Sequence, residues 1–346
     1  MKIGNRTVGV GEKPYLIAEM SGNHNFSLDR ALEIVDAAAA SGADAIKLQT
    51  YTADTMTLNV DAADFIINDP ASLWNGRQLY DLYKEAHTPW DWHAPIMERA
   101  SAHNMHCFSS PFDATAVDFL ESLNVLAYKI ASFEMVDLPL IRKVASTGKP
   151  MIISTGMASV SEIGEAVIAA RGAGATDIIL LKCTSTYPAT PENSNLNTIP
   201  NLRETFGCAV GLSDHTMGCG VAVASVVFGA CVIEKHFTLA RADGGVDSAF
   251  SMEPAEFAVM RAECDRASQA LGAVRYGVSA EEKSKQFRRS LYIAKDVKAG
   301  EELTPENLRA VRPGYGLPPK FYDNFIGKRV HRDLAEGTRV TWDILN

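Results

Sequence analysis

No CxxC pair occurs in this chain, and its six cysteines (Cys107, Cys183, Cys208, Cys219, Cys231, Cys264) are scattered. That leaves no zinc knuckle and no dithiol redox centre. Most of the six lie in apolar runs, where free buried thiols are expected. Such thiols suit a reducing compartment, so a cytoplasmic location is the expectation. No stretch approaches ~18 uninterrupted apolar residues, and no membrane partner is expected. The opening MKIGNRTVGVGEKPYLIAEMSGN has no apolar core of signal-peptide length, so no targeting segment is expected either. Positive charge is scarce: Lys plus Arg number 33 against 42 for Asp plus Glu, a net charge of −9. Nucleic acid is therefore not expected as a partner, because phosphate backbones need a basic face. An anionic substrate would have to be held by a few local cations. After the first apolar run, MSGNHN supplies no GxGxxG, the fingerprint of an open dinucleotide-binding sheet.

What is present has a regular rhythm. The 346 residues are 47% hydrophobic and 22% charged, which fits a folded chain of about two domains. Eight apolar runs of strand length recur at 14–20, 45–50, 106–112, 127–132, 150–155, 178–184, 209–215 and 231–238. Helical patterns separate them. SLDRALEIVDAAAASGA (27–43) opens on an N-cap Ser27 and ends at Gly42, and VSEIGEAVIAARGAGA (160–175) has the same form. Eight strand–helix units over about 275 residues predict an α/β fold, a (β/α)8 TIM barrel. The stretch 51–105 is too long for a plain loop, and LYDLYKEAH (79–87) and WHAPIMERASAHN (92–104) read as helices within it. The predicted domains are a catalytic barrel over 1–278, a polar linker over 279–289, and a small turn-rich domain over 290–346. The last contains two similar pieces, KDVKAGEELTPENL and RDLAEGTRVTWDIL, each predicted to fold as strand, Gly turn and short return strand. A domain this small is expected to dock on another surface.

Barrel active sites form at the carboxyl ends of strands, and alternate strand residues share a face. Glu19, Lys47, Gln49, Ser110, Lys129, Ser132, Ser154, Ser185, Ser213, His215, Glu234 and His236 all fall at or near such ends. Any single serine among them is equally well read as an ordinary strand-end polar group. Lys47 and Lys129 are not, since a buried ammonium needs a partner. Two ammonium groups among hydroxyls suit a phosphate or carboxylate. His215 and His236 end neighbouring strands, face inward and can share a metal. Two protein ligands leave positions open, which favours Mn²⁺ or Mg²⁺ completed by water and substrate over structural zinc. His24, His87 and His93 read as packed or solvated.

AEMSGNHN, AIKLQTY, FSSPFD, YKIASFE, ISTGMA, LKCTSTYP, GLSDHTMG and VIEKHFTL, in this order, resemble the sialic acid synthase (NeuB-like) family. The tail segment DVKAGEELTPENLRAVRPGYGL resembles its antifreeze-like (SAF) domain. Within the family, LYDLYKEAHTPWDWH and GGVDSAFSMEP most resemble the pseudaminic acid synthase branch; sialic acid synthases more often carry a GPDH-type segment at the second place. The resemblance implies condensation of phosphoenolpyruvate with an open-chain acetamido sugar, here 2,4-diacetamido-2,4,6-trideoxy-L-altrose, giving a nine-carbon 2-keto acid. The alternative is N-acetylneuraminate or legionaminate synthesis by the same chemistry. Carried over, phosphoenolpyruvate would meet Lys47, Ser110, Lys129, Ser132, Ser154, Ser185 and Ser213. The metal would be held by His215 and His236. The sugar would meet Gln49, Tyr187, Glu234, Asp247 and, from the tail, Arg312. Glu19, Glu134 and Lys129 are the implied catalytic groups, and a domain-swapped homodimer is the implied assembly. Ser110 stands where many members have Thr, and Ser185 where some have Asn. A pocket for the trideoxy sugar should be apolar, with Trp74, Tyr80, Trp90, Trp92, Ala249 and Phe250 as candidate lining.

Overall fold

In the computed structural model, which describes residues 1–70, 72–277 and 283–345, every one of the eight apolar runs becomes a strand. A small antiparallel pair, β1 (Lys2–Ile3) and β2 (Arg6–Thr7), comes first. Then follow β3 (Tyr15–Glu19), β4 (Ala45–Thr50), β5 (His106–Pro111), β6 (Tyr128–Ile130), β7 (Met151–Ser154), β8 (Ile178–Cys183), β9 (Ala209–Asp214) and β10 (Val232–His236). These eight pair in parallel in chain order, and β10 also pairs with β3, closing a barrel. The predicted (β/α)8 barrel is the observed architecture.

Local signals set the connections. Ser27 accepts a hydrogen bond from Arg30 N and starts the helix Leu28–Ala40, and Gly42 leaves it at φ 84°. Ser159 and Glu162 form a capping box for the helix Val160–Gly172. The helices Leu79–Ala86 and His93–Ala102 form within the long stretch after β4.

Strand alternation gives the barrel a layered interior. Low in the barrel, Tyr15, Ile17, Ala45, Phe108, Ile152, Ile179, Leu181 and Val232 pack with Ile3 and Val8 of the leading hairpin. This apolar plug fills the amino end. Two residues further along the same inward faces, most of the side chains turn polar. The outward faces of the strands bury apolar residues under the helices, in two further clusters. The site is therefore held by strands that are packed on both sides.

The chain divides into two compact units, Met1–Gly272 and Ala273–Asn346. Of the predicted linker 279–289, residues 279–282 lie outside the described residues, and Lys283–Phe287 form a 3-10 turn. The second unit pairs β11 (Ser290–Ile293) with antiparallel β12 (Leu308–Val311) around a core that includes Leu291, Leu303, Phe325, Val330 and Ile344. The predicted return strands do not both form. The two similar pieces instead pair with each other, through the bridge between Val297 and Leu334. Asp333 accepts from Ala299 N (2.9 Å), and Asp296 accepts from Glu336 N (2.8 Å). Each aspartate thus caps the turn of the other piece, which uses up the backbone donors that separate hairpins would need.

Candidate active site

Lys47 on β4 donates to Ser110 Oγ on β5 (3.2 Å). It also lies 2.5 Å from Glu19 Oε2 on β3 and 3.8 Å from Glu234 Oε2 on β10. Lys129 on β6 donates to Ser154 Oγ on β7 (2.6 Å) and lies 3.7 Å from Glu234 Oε1. Ser213 on β9 donates to Glu234 Oε1 (3.2 Å). Both ammonium groups are buried, and each faces a carboxylate as well as a hydroxyl. Burial works to raise Glu234, but Lys129 and Lys47 outweigh it and hold the carboxyl below its ordinary range. Glu19 goes the other way: burial raises it to about 7 against the pull of Lys47, with Glu234 adding to the rise. A protonated Glu19 leaves two ammonium groups against one carboxylate, a cluster with positive charge to spare for an anion.

A second group of hydroxyls surrounds a glycine. Gly156 N donates to Ser132 Oγ (3.2 Å). A Cβ at Gly156 would fall 2.1 Å from Ser185 Oγ and 2.7 Å from Ser132 Oγ, so no other residue fits without moving them. This is the geometry of a cradle that lets a ligand approach the backbone.

The two histidines stand together, with ring centres 5.3 Å apart. His215 Nδ1 lies 2.9 Å from the Thr184 carbonyl and donates to it, which leaves Nε2 with the lone pair. Burial, and then the neighbouring His215, holds His236 neutral, well below the ordinary histidine range. His236 Nδ1 is buried without a hydrogen-bond partner, 3.9 Å from Asp247 Oδ2. Tyr187 stacks at 4.4 Å on His215, and Phe250 packs at 4.9 Å against His236.

These groups open into a cavity of about 270 Å³ lined by Gln49, Ser132, Glu134, Tyr187, His236 and Asp247, with an apolar wall beyond them. Gln49 donates to Glu19 Oε1 (2.9 Å) and Ser21 Oγ (3.1 Å), and Ser21 donates to Asp247. Glu134 Oε2 is buried with no partner, and burial pushes this carboxyl up to about 7.

The strand-end polar residues singled out from the sequence therefore gather at the carboxyl end of the barrel. Arg312 lies in the second unit, where with Arg289 and Arg309 it lines an open groove. Three contributors were not singled out: Ser21, Gly156 and Cys183. Cys183 lies 4.0 Å from His215 Nδ1 and ends β8 on the inward face of Ile179 and Leu181, so alternation alone would have found it. Of the aromatic candidates, Trp74 lines the cavity and Phe250 backs it, but the others do not. Tyr80 turns outward to Asp54, Trp90 stacks on Phe119, Trp92 packs on His24 and Phe26, and Ala249 is exposed. His24 and His93 are packed and buried, and burial drives each down to about 4.

Residues 34–276 match the NeuB family, and residues 288–346 match the SAF domain. The chain belongs to the NeuB family. Across 97% of both chains it is 44% identical to a pseudaminic acid synthase of Campylobacter jejuni. It is 43% identical to that of Helicobacter pylori, over 96% of this chain and 98% of the other. An N-acetylneuraminic acid (sialic acid) synthetase from Leptospira borgpetersenii superposes with a TM-score of 0.73 at 31% identity, covering 82% of this chain and 94% of that one. The protein is accordingly an enzyme, a NeuB-type synthase. Among its described residues no helix is long and apolar enough to cross a membrane.

The NeuB barrel also permits a test of metal fit. Among the described residues no group of three or more His, Cys, Asp or Glu is arranged around one point. A closed structural site is thus not what His215 and His236 make. Two adjacent imidazoles, one fixed by Thr184 and one with an unpartnered buried nitrogen, do fit a cation whose other positions go to water and substrate.

Proposed function

We propose that the protein is a pseudaminic acid synthase, joining phosphoenolpyruvate to 2,4-diacetamido-2,4,6-trideoxy-L-altrose to give a nine-carbon 2-keto acid and phosphate. One observation carries this reading. Two buried lysines, a serine cradle and two adjacent imidazoles converge beside a half-apolar cavity, in a chain 44% identical to a named pseudaminic acid synthase.

In this reading Lys47 and Lys129, with Ser110, Ser132, Ser154, Ser185 and Ser213, hold the phosphate and carboxylate of phosphoenolpyruvate. Gln49, Tyr187, Glu234 and Asp247 hold the open-chain sugar, with its aldehyde towards His236. A divalent cation, Mn²⁺ or Mg²⁺, on His215 and His236 supplies Lewis-acid polarisation of the aldehyde oxygen. Carbon 3 of phosphoenolpyruvate forms the new bond to the aldehyde carbon, and water adds at carbon 2. Glu134 takes the proton of that water: its oxygen is unpaired and its affinity for a proton is raised, as a general base requires. Glu19 is already tied to Lys47 and Gln49, which suits it to orienting them. The carbon–oxygen bond to phosphate then breaks, and the two ammonium groups offset the charge that departs. The same proposal places the enzyme in the cytoplasm as a domain-swapped homodimer, with Arg312 contributing to sugar binding.

Phosphate release tests it, with phosphoenolpyruvate, Mn²⁺ and three acetamido sugars in parallel. The trideoxy L-altrose should be used far better than N-acetylmannosamine or the legionaminate precursor. Equal or better use of N-acetylmannosamine would move the chain to the sialic acid branch. Chelation should stop turnover reversibly, as should His215→Ala or His236→Ala without loss of fold; full activity in metal-stripped protein would remove the cation from the scheme.

A further inference from the structure

The lining of the cavity is of two chemical kinds. Gln49, Glu134, Tyr187, His236 and Asp247 are polar, and Met56, Ile67, Trp74, Leu79, Phe112 and the ring of Tyr83 are apolar. All but Phe112 come from the stretch between β4 and Trp90. Its sequence explains the wall. In the helix Leu79–Ala86, Leu79, Leu82, Tyr83 and Ala86 fall on one face and line the cavity, while Tyr80, Asp81, Lys84 and Glu85 fall on the other. The helix Ala53–Met56 is started by a capping box between Thr52 and Thr55 and ends where Thr57 turns extended, which leaves Met56 on the cavity. Ile67 is pinned by two backbone bonds, from its N to Arg77 O (2.9 Å) and from Gly76 N to its carbonyl (2.7 Å). Trp74 donates its indole N–H to the Val246 carbonyl (3.1 Å), one residue before Asp247. The wall is thereby fastened to the loop that carries a polar residue of the site.

That bond also spends the indole's only donor. The aliphatic members of the wall have none. A hydroxyl pressed against Met56, Ile67 or Leu79 would lose its water and gain no partner, whereas a methyl group would only gain. The reacting carbonyl belongs beside His236, so the apolar part of the lining is left to the rest of the open-chain sugar.

We propose that the wall formed by Met56, Ile67, Trp74, Leu79 and Tyr83 is the specificity element of the enzyme, receiving the deoxy methyl and the methyl of an N-acetyl group on the acceptor and disfavouring hydroxyls there. The proposal rests on the acetamido-sugar reading of the site given above.

The test uses Met56→Gln, close in volume, and Ile67→Thr, somewhat smaller, each at a half-buried position, so that no core is emptied. For both, kcat/KM is measured with the diacetamido trideoxy L-altrose and with N-acetylmannosamine, alongside KM for phosphoenolpyruvate and Tm. The expected result is a fall on the order of 10-fold for the trideoxy sugar, with no fall for N-acetylmannosamine. KM for phosphoenolpyruvate should stay unchanged. Variants that fold and keep the wild-type ratio of the two sugars overturn the proposal, as does an equal loss for both sugars. Wild-type enzyme that releases no phosphate with any acetamido sugar overturns the reading beneath it; wild-type turnover with an unmoved ratio in the variants overturns the wall alone.

Discussion

Two single residues have roles that their immediate surroundings make testable. In the proposed mechanism Glu134 acts only when ionised, and burial holds its proton up to about pH 7. The ionised fraction therefore falls as pH drops through 7, and kcat should fall with it, approaching tenfold per pH unit well below. Glu134→Gln should cut kcat by roughly 10²–10⁴. It should also flatten the acid limb of the residual profile and leave KM for phosphoenolpyruvate near the wild-type value. An unchanged acid limb in the variant would give the proton to another group. Gly156 has a different task. Its missing side chain is the space that Ser132 and Ser185 reach into, and a methyl there needs at least one serine to turn away. Gly156→Ala should raise KM for phosphoenolpyruvate by about 10-fold, a cost near 1.4 kcal/mol, while KM for the sugar stays put. Steady-state kinetics varying each substrate in turn would separate the two.

At the scale of elements, β9 and β10 do most to place the groups of the candidate site. Their inward faces carry Ser213, Glu234 and His236. The outward positions between them carry Asp214 and Lys235, directly opposite each other in the ladder. Lys235 Nζ donates to Asp214 Oδ2 at 2.7 Å and reaches Thr216 O, and Asp214 Oδ1 accepts from Thr216 N and Oγ1. All three residues are buried. The pair thus fixes the ends of both strands at the point where His215 and His236 emerge. Lys235→Met leaves a buried carboxylate without its cation, a loss of about 3–5 kcal/mol. Tm should drop by roughly 10 °C. Adding Asp214→Asn removes the stranded charge and keeps an acceptor for Thr216, so most of the Tm should return. Differential scanning calorimetry of the single and double variants checks this; a double variant no more stable than Lys235→Met would mean that the charge is not what matters.

The whole molecule is acidic, yet its site needs cations, and the structure resolves this by concentration. Lys47 and Lys129 are enclosed at the barrel mouth. The second unit exposes Arg289, Arg309 and Arg312 along one groove. If Arg312 completes sugar binding, a chain ended near residue 280 should keep the thermal transition of its barrel, which has its own cores, and lose turnover. Mixing Arg312→Ala chains with His236→Ala chains should restore part of the activity, since one hybrid site regains both residues. No rescue in a verified heterodimer would count against sharing between subunits.

Much of this was legible before any coordinates. The eight strands, the flanking helices and the convergence of Lys47, Lys129, His215 and His236 follow from period-two alternation and from apolar runs that end in polar residues. That information is local, so the sequence determines it by itself. The tertiary structure alone decided the rest. Which carboxylate each lysine meets depends on closing β10 onto β3, which brings Glu234 as well as Glu19 within reach of Lys47. The lone charge state of Glu134 and the silence of His236 come from burial, which no spacing encodes. Trp74, Tyr80, Trp90 and Trp92 looked alike as sequence, yet of these four only Trp74 lines the cavity, where Tyr51 and Tyr83 join it, because a side chain's direction is set by what its element packs against.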